Sequence, residues 1–518
     1  MATAAAAPSA NGNGDLQALT GPRLILAGFV LALANFIVVL DTTIANVSVP
    51  HIAGGLGVSA SEGTWVVTSY SVAEAVCVPL TGFLVRRFGA VRTFMAALIG
   101  FGLFSALCGL APTLGFLIVF RLGQGFCGGP LMPLTQTLLL RIFPKHLQPA
   151  AMALWAMTTI VAPIAGPILG GWISDNWSWQ WIFYINVPII IASLTGVWML
   201  LGPYASRGEK VYVDKVGLIL LIIWVGALQM MLDNGRDDDW FASSFIVTCA
   251  VIAAIGFVAF LIWELTEKEP IVDLSVFRYR GFLFSTLTLV ATFGTFFSTV
   301  VVIPQWLQQS MGYTATEAGM ATALNGVLAV MMAPFVPRLM KVIDPRMLVF
   351  FGVSWLGLAA ILRTQWSTDS TFWMIAFPQF MQGFGMSMFF VPLTVIGLGS
   401  VKPEDTASAA GMMSFGRTLA AAIGTAVVTT YWSDLGRADR SVLVDNLNGA
   451  ETTVATLQAQ GFSHQQAAGV LETLVEGQSS AMAVGHLFAV VSVVFFIAAS
   501  FIWLAPRPPK DASAAGAH

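Results

Sequence analysis

Residues 31–50 read LALANFIVVLDTTIANVSVP, and this stretch decides the fold class. It is long and apolar enough to cross a bilayer, which takes about 20 residues, yet Asp41 lies at its centre. A carboxylate in hydrocarbon costs roughly 2.5–3.5 kcal/mol even on insertion scales, so it usually faces a bundle interior and marks an ion or proton path. We therefore expect membrane helices organised around Asp41. Further polar groups on the same helix are Asn35, Thr42, Thr43, Asn46 and Ser48.

Composition places the chain in the membrane. Its 518 residues are 57% hydrophobic and 10% charged, with a mean hydropathy of +0.79, whereas soluble domains carry about 25% charged residues. The net charge of −3 suggests no nucleic-acid partner. All four cysteines lie in apolar runs, without disulfide or metal spacing. Residues 1–22 are rich in Ala, Asn and Gly and are predicted to be a disordered cytoplasmic tail. The apolar run that follows is far longer than the apolar core of a signal peptide, so we expect it to remain as the first membrane helix.

Fourteen apolar runs are long enough to span a bilayer. They begin near Leu24, Glu62, Val91, Thr113, Pro149, Gln180, Val213, Ala242, Gly281, Thr316, Arg346, Thr371, Thr406 and Ser479. With the N-terminus inside, eighteen Lys and Arg residues fall in connections on one side and four on the other. Basic connections face the cytoplasm, so both termini are predicted to be cytoplasmic.

The chain also repeats. Gln124-Gly125-Phe126 recurs as Gln382-Gly383-Phe384, an offset of 258 residues or eight spans. Such an even offset predicts two parallel six-helix halves related by an axis along the membrane normal. We predict an all-α polytopic membrane protein with a tail (1–22), a first half (23–202), two inserted helices (203–280), a second half (281–505) and a cytoplasmic tail (506–518).

Charged residues inside the spans are the first candidates for function. They are Asp41, Glu74, Arg121 and Arg417, and the positions 258 residues away hold Thr299, Met332, Gln379 and Thr159. Charges confined to one half point to function rather than architecture. We assign proton coupling to Asp41, Glu74 and Arg121. The alternatives are a structural ion pair for Arg121 and a snorkelling or outward-facing position for Glu74.

Substrate-binding candidates are polar and aromatic side chains within the spans, because drug-sized ligands occupy largely apolar pockets with few polar groups. They are Asn35, Phe36, Gln124, Trp155, Phe293, Gln379 and Arg417. Two further motifs suggest conformational roles, a tight basic connection with Gly82, Arg86 and Gly89, and an interrupted helix with Gly166, Pro167, Gly170 and Gly171.

Residues 433–478 form the one long connection on the outer side. Ser463 and Gln466 have capping-box spacing, and an apolar stripe follows at Ala467, Val470, Leu471, Leu474 and Val475. This stripe either docks on the protein's own helix ends or forms a surface for a partner.

Several motifs together resemble the fourteen-span drug:proton antiporters of the major facilitator superfamily. They are residues 40–47 (LDTTIANV), 121–125 (RLGQG), 166–171 (GPILGG), 181–188 (WIFYINVP), 270–274 (PIVDL) and 417–420 (RTLA). The resemblance covers nearly the whole chain and is nearest to the inner-membrane pump of a tripartite efflux system. It implies proton-driven export of hydrophobic drugs without a cofactor, with a periplasmic membrane-fusion adaptor and an outer-membrane channel as partners. Arg86 departs from the superfamily pattern, which usually has an acid there.

Other functions are weighed against this one. The chain has no G-x-x-x-x-G-K-[ST] phosphate loop, so ATP is not the visible energy source. The five histidines are scattered, which argues against a membrane-embedded enzyme. A passive sensor, and a transporter of an endogenous small metabolite, remain as alternatives.

Overall fold

Long apolar helices build the part of the chain that the computed structural model describes, residues 19–206, 208–209, 211–236, 238–447 and 449–507. In chain order they are α1 (Gly21–Leu56), α2 (Trp65–Phe88), α3 (Ala90–Gly109), α4 (Leu114–Ile142), α5 (Gln148–Asn176), α6 (Trp181–Tyr204), α7 (Lys215–Asn234), α8 (Ser244–Thr266), α9 (Arg280–Ser310), α10 (Thr316–Val342), α11 (Pro345–Arg363), α12 (Phe372–Gly399), α13 (Pro403–Asp445) and α14 (His464–Leu504). Two short helices, Ala60–Gly63 and Ala450–Ala459, lie in connections. The predictions for residues 1–18 and 508–518 lie outside the described residues.

These described helices fit a bilayer for a simple reason. Lipid offers no hydrogen-bond partners, so a spanning segment must satisfy its backbone internally, as a helix does. Thirteen of them are long and apolar enough to span a bilayer, and α5 adds a fourteenth as two segments bent by 41° between Pro163 and Ile168. Proline removes a backbone donor and bends a helix, which accounts for the bend. The predicted all-α polytopic fold is confirmed.

Helix packing repeats as the sequence does. In the first half α1 packs on α5 and α6, α2 on α4, and α3 on α4 and α6. In the second half the same pairs recur eight helices later, α9 with α13 and α14, α10 with α12, and α11 with α12 and α14. The inserted helices α7 and α8 pack on each other, and α7 also contacts α2 and α13. The exact domain boundaries stay a prediction.

The long outer connection is more helical than expected. The last span was predicted to begin near Ser479, but α14 begins at His464 as one continuous helix of 38 residues before its final turn. The predicted capping box starts it, with the Gln466 amide donating to Ser463 Oγ at 3.2 Å and the Ser463 amide donating to Gln466 Oε1 at 2.9 Å. No proline interrupts the following residues, so the helix runs on into the span.

The apolar stripe at the start of α14 is divided between burial and exposure. Ala467 and Val475 are buried, whereas the Leu474 side chain is 57% exposed. The outer parts of α13 and α14 pack against each other, and Arg440 pairs with Glu472 at 3.0 Å. We call residues 433–478 the outer hairpin.

Candidate functional site

Asp41 lies at the centre of a sealed polar network. Neither its side chain nor that of Arg121 has any solvent exposure, and Asp41 Oδ2 accepts a hydrogen bond from Arg121 Nη1 at 2.7 Å. A buried charge is tolerated when it is paired and hydrogen-bonded, and removing one partner costs about 3–5 kcal/mol. The structure therefore pairs two of the intramembrane charges that the sequence singles out, Asp41 and Arg121.

Two amides complete the cage around Asp41. Asp41 Oδ1 accepts from Gln124 Nε2 at 2.9 Å and from Asn186 Nδ2 at 2.5 Å. Asn186 Nδ2 also lies 2.9 Å from Ser105 Oγ, which donates to the Phe183 carbonyl. The ionised carboxylate only accepts hydrogen bonds, so three converging donors suit the charged form.

The Arg121 guanidinium is fixed on several sides. Its Nε donates to the Val66 carbonyl at 3.0 Å, and Nη1 also donates to Gln124 at 2.8 Å. Its centre lies 4.2 Å from the centroid of the Tyr70 ring. This approach of α4 to α2 depends on Gly128, because a Cβ there would lie 2.8 Å from the Tyr70 hydroxyl. A lysine ammonium, which lacks the planar guanidinium with its several N–H donors, could not contact all of these partners at once.

A second cluster joins the two halves. The Arg417 guanidinium centre lies 5.6 Å from the ring centroids of both Trp155 and Phe293, and the side chain donates to the Met132 sulfur. Trp155 stacks on Phe390 with centroids 5.4 Å apart and ring planes 4° apart. Because Trp155 and Met132 belong to the first half and the other three to the second, this cluster lies where the halves meet.

Asn35 positions Trp155 within this cluster. Asn35 Oδ1 accepts from Trp155 Nε1 at 3.1 Å, and its amide nitrogen donates to Thr158 at 2.9 Å and Thr159 at 3.0 Å. Its side chain is completely buried. These bonds use both of its polar atoms, so Asn35 orients an aromatic ring in this state.

Glu74 lies between the two clusters. Its carboxylate is in Coulombic range of Arg417, Arg121 and Asp41, and the residue is half-buried. The ion pairs of the described residues do not include Glu74. Glu74 is therefore an intramembrane acid without an ion pair among the described residues, within electrostatic reach of arginines from both halves.

A largely apolar cavity of about 100 Å³ lies beside the Arg417 cluster. Its walls come from α5 in the first half and from α9, α10 and α12 in the second; among them are Thr159, Pro163, Phe293, Phe297, Thr299, Asn325, Gln379 and Met386. Pockets that bind drug-sized ligands have volumes of roughly 300–1,000 Å³. The cavity is thus too small for such a ligand until the halves move apart.

The predicted substrate residues lie in four different places. Phe293 and Gln379 line the cavity, Asn35, Trp155 and Arg417 belong to the adjoining cluster, and Gln124 binds Asp41. Phe36 is half-buried and packs on the core outside the cavity lining.

The sequence analysis missed a polar cluster in the second half. Arg363 is 1% exposed, and its Nη2 donates to Gln379 Oε1 at 2.8 Å and to Gln382 Oε1. Subtracting the 258-residue offset from these three positions gives Ser105, Arg121 and Gln124, all members of the Asp41 network. The repeat is the signal that could have found Arg363, which is one of the four basic residues that the sequence analysis counts in the outer connections.

Asn186 and Ser105 were missed as well. Asn186 lies in the WIFYINVP motif that carried the family resemblance, but no role was assigned to it. Neutral polar side chains cost less in a membrane than charges do, so they give a weaker signal. The structure shows Asn186 at hydrogen-bond distance from both Asp41 and Ser105.

The tight connection between α2 and α3 closes one end of the bundle, which we call the basic face because it carries Arg86, Arg87 and Arg92. A Cβ on Gly82 would lie 2.8 Å from the Cα of Ser408 on α13, so glycine permits this contact between the halves. Gly89 has a φ of +84°, a backbone conformation that favours glycine. Arg86 is exposed, and its carbonyl accepts from the Glu209 amide at 2.8 Å.

The GPILGG motif lets α5 pack tightly on α1. A Cβ on Gly166 would lie 3.1 Å from the Ile44 amide nitrogen, and one on Gly170 would lie 3.0 Å from the Ile44 carbonyl oxygen. Gly171 has nothing within 4 Å of such a Cβ, and the side chain of Pro167 lies outside the described residues. Ile44 is three residues from Asp41, so this packing supports the helix turn that presents the carboxylate.

Comparisons with known proteins agree on one family. The family model described as the Major Facilitator Superfamily matches residues 31–425. The chain is 41% identical to the "Multidrug export protein EmrB" of Escherichia coli K12 over 96% of this chain and 98% of that protein. It is 42% identical to the "Fatty acid resistance protein FarB" of Neisseria gonorrhoeae over 97% of this chain and 100% of that protein.

A solved structure supports the fold alone. The human organic anion transporter MFSD10 aligns with a TM-score of 0.58 and 14% identity, over 92% of this chain and 100% of that one. Identity this low carries no information on substrate, but the helix arrangement is shared.

Proposed function

The chain belongs to the major facilitator superfamily and is a membrane transporter rather than an enzyme, and from that premise we propose that it exports hydrophobic toxic compounds in exchange for protons. The proposed location is a bacterial inner membrane with both termini in the cytoplasm. The names of its relatives, which refer to multidrug export and to fatty acid resistance, support a hydrophobic substrate class.

The observation that carries the proposal is the sealed Asp41–Arg121 pair. Protonation of Asp41 would remove its negative charge and release Arg121 from the 2.7 Å ion pair. A freed buried guanidinium costs several kcal/mol, so loading a proton favours a rearrangement of α1 against α4. Reopening to the other side would let the proton leave and the pair form again. No cofactor is required, because the proton gradient supplies the energy.

Substrate movement would be coupled through the contact between the halves. The walls of the cavity come from α5 of the first half and from α9, α10 and α12 of the second. Widening it for a drug-sized ligand would therefore move α5 away from α12 and separate Trp155 from Phe390, which stack across the same contact. Glu74 lies within Coulombic range of both Arg121 and Arg417. We propose that Glu74 links the proton network to the substrate cavity.

A partner at the outer hairpin is the second part of the proposal. The hairpin carries large apolar side chains that are 37–57% exposed, namely Val442, Val444, Leu447, Phe462 and Leu474. Apolar patches beyond what a monomer usually exposes mark interaction sites. We propose that a periplasmic membrane-fusion adaptor covers them and passes the substrate to an outer-membrane channel.

Transport in proteoliposomes tests the proposed activity. With the purified protein in vesicles and an imposed pH gradient, a hydrophobic fluorescent dye should move against its own gradient, and a protonophore should abolish this movement. Dye movement that ignores the pH gradient would overturn proton coupling. An absence of dye movement together with substrate-dependent conformational change would favour a sensor.

A further inference from the structure

We propose that the groove between α2, α3 and α4 on the basic face binds an anionic phospholipid. The groove has a volume of about 560 Å³ and is separate from the cavity between the halves. Its lining combines two arginines with apolar side chains from three helices, and it includes Leu84, Arg87, Phe88, Arg92, Ala96, Ala97, Phe126 and Cys127.

The mouth of the groove is strongly positive. Arg87 and Arg92 line it, and Arg86 lies beside them on the same connection. The described ion pairs include none of these three arginines. Arg87 Nη1 donates to the Val211 carbonyl, which anchors the guanidinium at the mouth without neutralising it. A ligand that binds here must therefore bring negative charge.

The start of α3 adds to this preference. Its first turn contains Arg92 and no acidic residue, and no side chain caps its N-terminus. Helix N-termini carry unsatisfied N–H groups and a partial positive charge that favour phosphate. Arg92 and Thr93 of this turn both line the groove, so the partial positive charge of the helix terminus lies close to the arginines at its mouth.

The apolar part of the groove faces the bilayer. Phe88 is 50% exposed and Phe126 is 52% exposed. Outward-facing residues continue along α3 at Ile99, which is 54% exposed, and along α4 at Leu122, which is 40% exposed. From Arg92 to Ala97 the groove extends about 7 Å along the helix axis. It thus runs from the level of headgroups into the level of acyl chains.

The positive charge at the mouth of the groove and its apolar, lipid-facing walls together favour an anionic phospholipid as the ligand. Basic pockets between membrane helices on the cytoplasmic side suit anionic lipid headgroups, and the apolar walls suit the attached chains. Soluble phosphate would use the arginines but leave Phe88 and Phe126 without a partner. A zwitterionic lipid would use the walls but would bring no net charge to the arginines.

Binding of fluorescent phosphatidylglycerol to the purified protein in detergent tests the proposal. The double variant Arg87→Gln/Arg92→Gln should bind roughly 30-fold more weakly than the unchanged protein, at a typical contribution for two arginines near a headgroup. The matched control is Arg338→Gln. Arg338 is also exposed on the basic face and lies 6.0 Å from the Phe335 ring, as Arg87 lies 5.9 Å from Phe88, but it does not line the groove.

Two competition experiments distinguish an anionic lipid from a zwitterionic lipid and from a soluble phosphate. Phosphatidylcholine should compete poorly, and glycerol phosphate without acyl chains should not displace the probe at millimolar concentration. Unchanged binding by the double variant, equal competition by phosphatidylcholine, or full displacement by glycerol phosphate would each overturn the proposal. Should the double variant aggregate, Arg92→Gln alone, at an exposed position, must weaken binding several-fold for the proposal to stand.

Discussion

Removing one partner of the Asp41–Arg121 pair should destabilise the protein at least one and a half times as much as removing both partners. This difference follows directly from the burial of the ion pair. Both side chains are completely buried and 2.7 Å apart. Each single substitution, Asp41→Asn or Arg121→Gln, leaves an uncompensated buried charge, which costs about 3–5 kcal/mol. In Asp41→Asn/Arg121→Gln neither charge remains, so we expect a loss of about 2 kcal/mol, near the value of one or two buried hydrogen bonds.

A double-mutant cycle measures this difference. Unfolding free energies of the four proteins are measured by titrating detergent micelles with a denaturing detergent. Two single losses of about 3–5 kcal/mol against a joint loss of about 2 kcal/mol correspond to an interaction energy of about 4–8 kcal/mol, above the roughly 0.5–3 kcal/mol usual for coupled pairs. The control cycle is Arg440→Gln with Glu472→Gln. That pair is 3.0 Å apart, but its side chains are 51% and 64% exposed, so it should give at most about 1 kcal/mol. Additive losses at Asp41 and Arg121 would refute the argument that the pair is energetically coupled.

Further predictions concern closure, topology and the partner. Gly82→Val should abolish transport, because its side chain collides with α13 when the basic face closes, whereas Gly171→Ala has open space around it and should pump normally in the same vesicle assay. A cysteine at Ser441 should react with a membrane-impermeant maleimide from the periplasmic side, and labelling only from the cytoplasm would contradict the topology. Val442→Ser/Leu474→Ser should keep transport in proteoliposomes but lose adaptor capture and cellular resistance, and a fall in membrane levels instead would assign these side chains to folding.

Much of the fold follows from the sequence because the membrane imposes strong constraints. An apolar run of about twenty residues is stable in lipid as a helix. The basic connections predict which way each helix crosses the membrane, and the 258-residue offset predicts which helices of the two halves correspond. The long helices of the outer hairpin were harder to predict. Hydropathy marks where a helix enters the bilayer, and it does not mark where a helix begins in water.

How well each site residue could be predicted depends on how much its side chain costs inside a membrane. Asp41 and Arg121 were found because an intramembrane charge is costly and therefore conspicuous. Their contact was not predictable, since 80 residues separate them and only packing brings α1 to α4. Asn186 is uncharged and gave no such signal. Phe36 was selected from 37 phenylalanines without a pattern that tells a cavity wall from a lipid-facing position, and it lies outside the cavity lining.

The central claim is that protonation of Asp41 couples substrate movement to the proton gradient. The most direct measurement compares two modes of transport by Asp41→Asn in the same proteoliposomes, exchange of dye across the membrane without a pH gradient and accumulation of dye driven by one. The account predicts that exchange persists, because Asn cannot release a proton but leaves the cavity intact, and that gradient-driven accumulation is lost. Accumulation at the level of the unchanged protein would contradict the claim and remove Asp41 from the coupling mechanism.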